Sequence, residues 1–167
     1  DTVNVTNGVY SEGGGMRPGS ILSNRVYIAK HIVVQSVNGP GVTIIEGAPP
    51  SETNGAGAVR CAYLAFNATL SGFTLTNGHS ATTNSLPYES DCAGVLVDQG
   101  AVLTNCSVTC NSPSGAVVQR SVAVDCVFSH NREIGLYCLY GTAVYCAVIG
   151  NNSGGMILGA SFASNCV

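Results

Sequence analysis

Residues 135–153 read GLYCLYGTAVYCAVIGNNS, a run without a single charge that carries two cysteines and a paired asparagine. The same layout stands upstream in GAVVQRSVAVDCVFSHNRE (115–133) and GVLVDQGAVLTNCSVTCNS (94–112), and downstream in GMILGASFASNCV (155–167). Cys106, Cys126, Cys146 and Cys166 fall at intervals of 20 residues, as do Asn111, Asn131 and Asn151. Gly94, Gly115, Gly135 and Gly155 open the units at intervals of 21, 20 and 20. Three markers with one period predict a solenoid. The leucine-rich alternative shares the period but lacks its L-x-x-L-x-L pattern.

Within each unit the apolar runs are short, rich in Val, Thr, Phe, Tyr and Cys, and broken by Gly, Asn, Ser and Asp. That is strand chemistry with turn punctuation, and no sustained helical stripe interrupts it. Twenty residues hold about three short strands and their turns. The expected fold is therefore all-β: a right-handed, three-sided parallel β-helix with about 20 residues per turn and protruding loops. Each coil sits about 4.8 Å above the last, so equivalent residues stack. The cysteine column fills the interior as small apolar groups. The asparagine column can bond along the axis. Glycine at the unit start is expected to turn a corner that a Cβ would obstruct. Alternation points Leu136 and Cys138 inward, with Val95 and Val97, Ala116 and Val118, and Met156 and Leu158.

The chain reads as a single domain, 1–167, with irregular turns over 1–93 and regular ones over 94–167. AYLAFNATLSGFTLTNG (62–78) aligns with 95–111 at an offset of 33, placing Phe73 over Cys106 and Leu75 over Val108. The excess over one period belongs to an insertion at 79–91. Two further polar, Gly/Pro/Ser-rich segments, 11–20 and 48–58, also read as loops outside the coil.

Charged residues make up 9% of the chain, the net charge is −3, and the sequence pI is about 5.4. This balance excludes nucleic acid as an expected partner, because that surface needs a basic stripe. No apolar run is long enough to span a membrane. Eight cysteines suggest an oxidising, extracellular setting. Within the 106/126/146/166 column, parallel side chains disfavour disulfide geometry, so free buried thiols are at least as reasonable. Cys61 and Cys92, outside the column and each beside a loop, are the best disulfide candidates. No metal site and no cofactor is expected, since Cys106 and Cys110 lie four apart but no second pair with a matching His lies nearby.

VNVTNGVY, GPGVTIIEG, VRCAYL, TLSGFTLTNG and the repeated NC…N units resemble the right-handed parallel β-helix repeat proteins of the pectate-lyase-like superfamily, in its secreted bacterial surface-protein branch. The resemblance implies the fold. It carries no catalytic residue across, because the shared motifs are core and turn positions.

A β-helix lyase or glycosidase needs clustered carboxylates. Stacked in register, the acids form no column: Asp125 lies over Asn105 and Tyr145, and Asp98 over Gln119 and Leu139. Only Glu89 and Asp91 are close in sequence, in the 79–91 insertion with Tyr88, which makes these three the candidate ligand loop. The expectation is no enzyme and no catalytic residue. It is instead an extracellular or cell-surface structural protein, a solenoid block that assembles end to end with copies of itself into a filament. This rests on the absence of capping helices from either end of the chain. The alternative is a carbohydrate-binding or adhesin β-helix fragment of a larger surface protein, with polysaccharide as its partner and aromatics such as Tyr88, Tyr137, Tyr140 or Tyr145 in contact. A lyase or hydrolase ranks lower.

Overall fold

A computed structural model of the protein describes residues 1–51, 56–81, 86 and 88–167. Among them there is no helix, and twenty strands wind into three stacked sheets. Sheet A takes Thr2–Val5, Val33–Ser36, Thr69–Ser71, Val102–Thr104, Val122–Val124, Thr142–Val144 and Phe162–Ser164. Sheet B takes Gly8–Tyr10, Thr43–Glu46, Thr74–Thr76, Ser107–Thr109, Val127–Ser129 and Ala147–Ile149. Sheet C takes Gly15–Met16, Ser23–Ile28, Val59–Leu64, Cys92–Val97, Ser114–Gln119, Ile134–Leu139 and Gly154–Gly159. All neighbours pair in parallel except Gly15–Met16, which runs antiparallel to Ser23–Asn24. The chain passes from C to A to B and back to C on every coil, which is the three-sided parallel β-helix that the period predicts.

The register follows the repeat. Val102 pairs with Val122, Val122 with Thr142, and Thr142 with Phe162, each 20 residues on. Leu75 pairs with Val108 at the offset of 33, and Phe73 lies at Cys106, its backbone N–H 3.5 Å from the Cys106 sulfur. The inward positions of sheet C are those that alternation assigns: Val95 and Val97, Ala116 and Val118, and Leu136 and Cys138 are all fully buried. The coils balance volume across the interior. Phe128 stands in a coil whose other inward residues include Ala116 and Ala123, whereas Val108 shares its coil with Val95 and Leu103. A large ring offset by small neighbours in its own coil keeps a narrow core at native density.

The corners are turned by single left-handed residues, mostly without glycine. Asn105, Asp125, Tyr145 and Asn165 hold φ of 50, 52, 54 and 53° between sheets A and B. Gln99, Arg120, Tyr140 and Ala160 do the same between C and A, and Cys110 and His130 between B and C. Asn and Asp tolerate this region through local hydrogen bonding; nothing in the structure explains tyrosine at two of these positions.

The glycines that open the units have a different role from the corner expected of them. None of Gly94, Gly115, Gly135 and Gly155 has a positive φ. Gly115 leaves room for the asparagine ladder: a Cβ there would lie 2.6 Å from Asn131 Nδ2 and 2.6 Å from the Gly135 carbonyl oxygen. At Gly155 the nearest atom would be 3.4 Å away. Gly115→Ala should therefore destabilise by about 2–4 kcal/mol, through overpacking and a displaced ladder bond. Gly155→Ala should change stability little. Chemical denaturation of the two variants side by side checks the contrast.

The ladder itself is complete. Asn131 Oδ1 accepts from the backbone N–H of Asn111 at 3.1 Å and from its Nδ2 at 3.0 Å, and Asn151 Oδ1 serves Asn131 in the same way at 2.9 and 2.9 Å. Asn111 Oδ1 extends the line to the Gly78 N–H at 2.8 Å. The cysteine column is continuous too, its members linked through backbone bonds from Val127 to Cys106, Ala147 to Cys126 and Val167 to Cys146.

All three loops leave the coil at the corner between sheets B and C, and so gather on one side. Segment 11–20 differs from its reading as a loop outside the coil: Gly15–Met16 pairs with Ser23–Asn24 at the edge of sheet C, because the chain turns back on itself there. Leu22, Ala58 and Ala81 form a small buried cluster that joins the three loops.

Candidate functional site

Along the outer face of sheet C one register line runs Tyr27, Tyr63, Leu96, Val117, Tyr137, Ile157. An outward column of this kind is normally polar. Here it is aromatic and aliphatic, so it must be covered or used. Its middle is covered: Tyr63, Leu96 and Val117 are buried in a cluster with Cys92 and Ala65. Tyr27 stacks on Tyr63, with ring centroids 5.5 Å apart, and the Arg17 guanidinium lies 5.6 Å from the Tyr63 ring centre.

The cover is held by a buried ion cluster. Glu89 and Arg60 are both wholly inaccessible. Glu89 Oε1 lies 3.6 Å from Arg60 and 3.3 Å from Arg17, and the Ser20 hydroxyl donates to Oε2. Arg60 spends its other donors on the Cys92 carbonyl at 2.8 Å, Asn24 Oδ1 at 3.2 Å and the Tyr88 carbonyl at 3.3 Å. Loop 11–20, strand Val59–Leu64 and loop 79–91 are thus tied at one point. Of the three candidate ligand-loop residues, Glu89 is withdrawn from any ligand by this cluster; it is a fastener.

Tyr88 and Asp91 are placed otherwise. The cover ends at them, and beyond it a groove of about 380 Å³ opens along the column, lined by Tyr88, Asp91, Val117, Tyr137, Leu139 and Ile157. Tyr88 sits at φ 61°, and its hydroxyl lies 3.5 Å from Gln119 Nε2. Tyr137, its equal from the coil, stands across the groove. Burial first, then the charges of Asp91 and Glu133, push the Tyr137 phenol up, while the Ser114 hydroxyl beside it acts in the opposite sense. Glu133 and Ser114, which the sequence reading missed, act on the Tyr137 phenol from beside the groove rather than lining it. Asp91, Pro113 and Glu133 each immediately precede a sheet C strand, so they form a column with the two acids two coils apart, roughly 10 Å along the axis. The 22-residue step from Cys92 to Ser114 hides this, because a β-bulge lengthens that strand.

The cysteines contain no disulfide: all eight are free. For Cys61 and Cys92 the reason is topological. Cys61 points into the coil interior, its thiol 3.1 Å from the Thr76 carbonyl, while Cys92 belongs to the cluster on the outer face of sheet C. The sheet lies between them. Burial pushes the Cys61 thiol up to about 12 and the Cys92 and Cys106 thiols up to about 11. The hydrogen bond with Cys146, and burial, hold the Cys126 thiol well above the usual range. Protonated, buried thiols are poor nucleophiles and poor metal ligands. Among the described residues no group of three or more His, Cys, Asp or Glu side chains is arranged to hold a metal ion, and no helix is long and apolar enough to cross a membrane.

Compared with family models, curated proteins and solved structures, the chain matches none of them.

Proposed function

We propose that this protein is an extracellular structural β-solenoid whose coils stack end to end on copies of itself. One observation supports the reading: every coil offers its neighbour parallel strand edges and a slice of one continuous apolar interior, so a further coil of the same kind can add to the stack. At the first coil a hollow of about 190 Å³ is lined by residues including Val5, Val26, Val34, Ile45 and Phe73. At the last coil a hollow of about 230 Å³ is lined by Val148, Met156, Cys166 and Val167. Around each hollow runs a ring of strand edges. Thr2–Val5 pairs on one side only, with Val33–Ser36, and Phe162–Ser164 on one side only, with Thr142–Val144. Such edges are templates for a further parallel strand. On sheet C the antiparallel Gly15–Met16 covers the start of the first edge, so docking there would run through sheets A and B and the remainder of C. A head-to-tail contact of this kind does not close on itself and propagates as a fibre. A surface with so few charges suits a cell-surface or extracellular setting.

The test is sedimentation of the purified chain across a concentration series. The wild type should form polymers that grow with concentration. Met156→Asp, which puts a charge in the last hollow while leaving the middle coils intact, should remain monomeric with unchanged circular dichroism. A monomeric wild type at high concentration would sink the reading.

A second reading is carbohydrate binding. It is favoured by the groove on sheet C, where two tyrosines from distant parts of the chain line one apolar floor with Asp91, an arrangement suited to the apolar face and hydroxyls of a sugar ring.

A further inference from the structure

The groove beside Tyr137 has a sign. The charges that act on its phenol, Asp91 from the loop and Glu133 from the coil, are both negative. Among the described residues no Lys or Arg lines it. Arg132 lines a separate hollow with His79, Ser80 and Ser112. Arg17 and Arg60 are committed to Glu89. Tyrosine faces offer a second attraction for positive charge, through the ring quadrupole. Two tyrosines and Asp91 around one apolar floor, with Glu133 further along the same strand-start column, make a site complementary to an organic cation. They oppose the uronate polymers that an acidic-sugar binder would take.

A further group points to a ligand. The Ser114 hydroxyl is 1% exposed, and its oxygen has no hydrogen-bond partner among the described residues. It lies beside the Tyr137 phenol and acts on it in the sense of a hydrogen-bond donor, lowering its pKa against the effect of burial. Buried hydroxyls are normally satisfied, and a ligand hydroxyl or amine entering beside Tyr137 would supply the missing partner. The floor of Val117, Leu139 and Ile157 takes a flat apolar face, and Gln119 with the Tyr88 hydroxyl provides neutral polar contacts at the rim.

We propose that this groove binds amino sugars carrying free ammonium groups, with the ring on Tyr137 and the ammonium groups between Asp91 and Glu133. Two acids about two coils apart suit an oligomer laid along the solenoid axis rather than a monosaccharide. The proposal rests on the carbohydrate reading of the groove and is independent of end-to-end stacking.

The test uses calorimetry or NMR titration of the full chain with glucosamine tetramer, N-acetylglucosamine tetramer and galacturonate tetramer. The glucosamine oligomer should bind, and the other two should bind at least roughly tenfold more weakly, since acetylation removes the charge and the uronate reverses it. Asp91→Asn and Glu133→Gln should each weaken glucosamine binding by roughly threefold to fivefold, and together by roughly tenfold or more. Both residues are exposed, so an unchanged melting temperature will show that the variants fold. Tyr137→Leu should remove binding of every oligomer. Equal binding of the glucosamine and N-acetylglucosamine oligomers would leave the carbohydrate reading standing and overturn the ammonium preference. No binding of any oligomer would overturn both.

Discussion

Raising the pH from 8 to 11 should unfold this protein. Cys61, Cys92 and Cys106 are held protonated in the folded state, with thiols pushed by burial up to about 12, 11 and 11. In the unfolded chain a thiol titrates near 8.5. The folded pKa values are the higher ones, so their contribution to stability is intact below about pH 8.5 and is lost as pH rises toward the folded values. Each such thiol removes about 1.4 kcal/mol per pH unit within that window. Three together remove on the order of 4 kcal/mol per unit between about pH 9 and 11, against a typical total stability of about 5–15 kcal/mol. Tyr63 and Tyr137, raised chiefly by burial, act in the same direction. Thermal melts from pH 7 to 11 should show a steep fall in midpoint above pH 9. Replacing the three cysteines by alanine should flatten it. A midpoint that stays level to pH 10.5 would mean that these thiols are not buried as described. Thiol labelling gives a companion readout: of the eight, Cys110 is exposed and should react first in the native state.

Glu89→Ala should destabilise the protein by about 3–5 kcal/mol, because it strands the wholly buried Arg60 without its counter-charge. The damage should be local in origin. Ser20, Arg17, Arg60 and the Tyr88 carbonyl all converge on this point, so loops 11–20 and 79–91 should detach together and expose Leu96 and Val117. The informative comparison is a double variant. Arg60→Met with Glu89→Leu removes both charges and should recover most of the loss, since an apolar pair of similar volume often replaces a buried ion pair without penalty. Denaturant melts of the two single variants and the double variant give the coupling. If Glu89→Ala alone falls within about 0.5 kcal/mol of wild type, the cluster is not buried as described.

The coil was legible because its determinants are periodic. A parallel ladder places each residue directly over its equivalent in the next coil, so one interval in Cys106, Cys126, Cys146 and Cys166 gives the register of the regular coils, apart from the longer step that the bulge introduces in sheet C. The asparagines bond 20 residues apart for the same reason. Even the facing of Leu136 and Cys138 follows, because alternation within a strand is a local property. Where reading failed, the property was not local. Cys61 and Cys92 look alike as loop-flanking cysteines, yet the bulge and the two faces of sheet C separate them. Glycine at the start of a unit suggested a special φ, whereas the constraint is a side chain from the following coil.

The candidate site divides along the same line. Interval and alternation are enough to put Tyr88, Glu89 and Asp91 in one inserted segment and Tyr137 on a coil strand in an outward position. It takes the folded chain to turn Glu89 inward to Arg60, to set Tyr88 and Asp91 on the edge of a groove with Tyr137, and to bring Glu133 and Ser114 within reach of that phenol. The physical reason is that an insertion has no periodic neighbour to set its path. Its course depends on where a buried charge finds a partner and how much of an apolar column it can cover. Both are properties of surfaces far apart in the chain, and no interval records them.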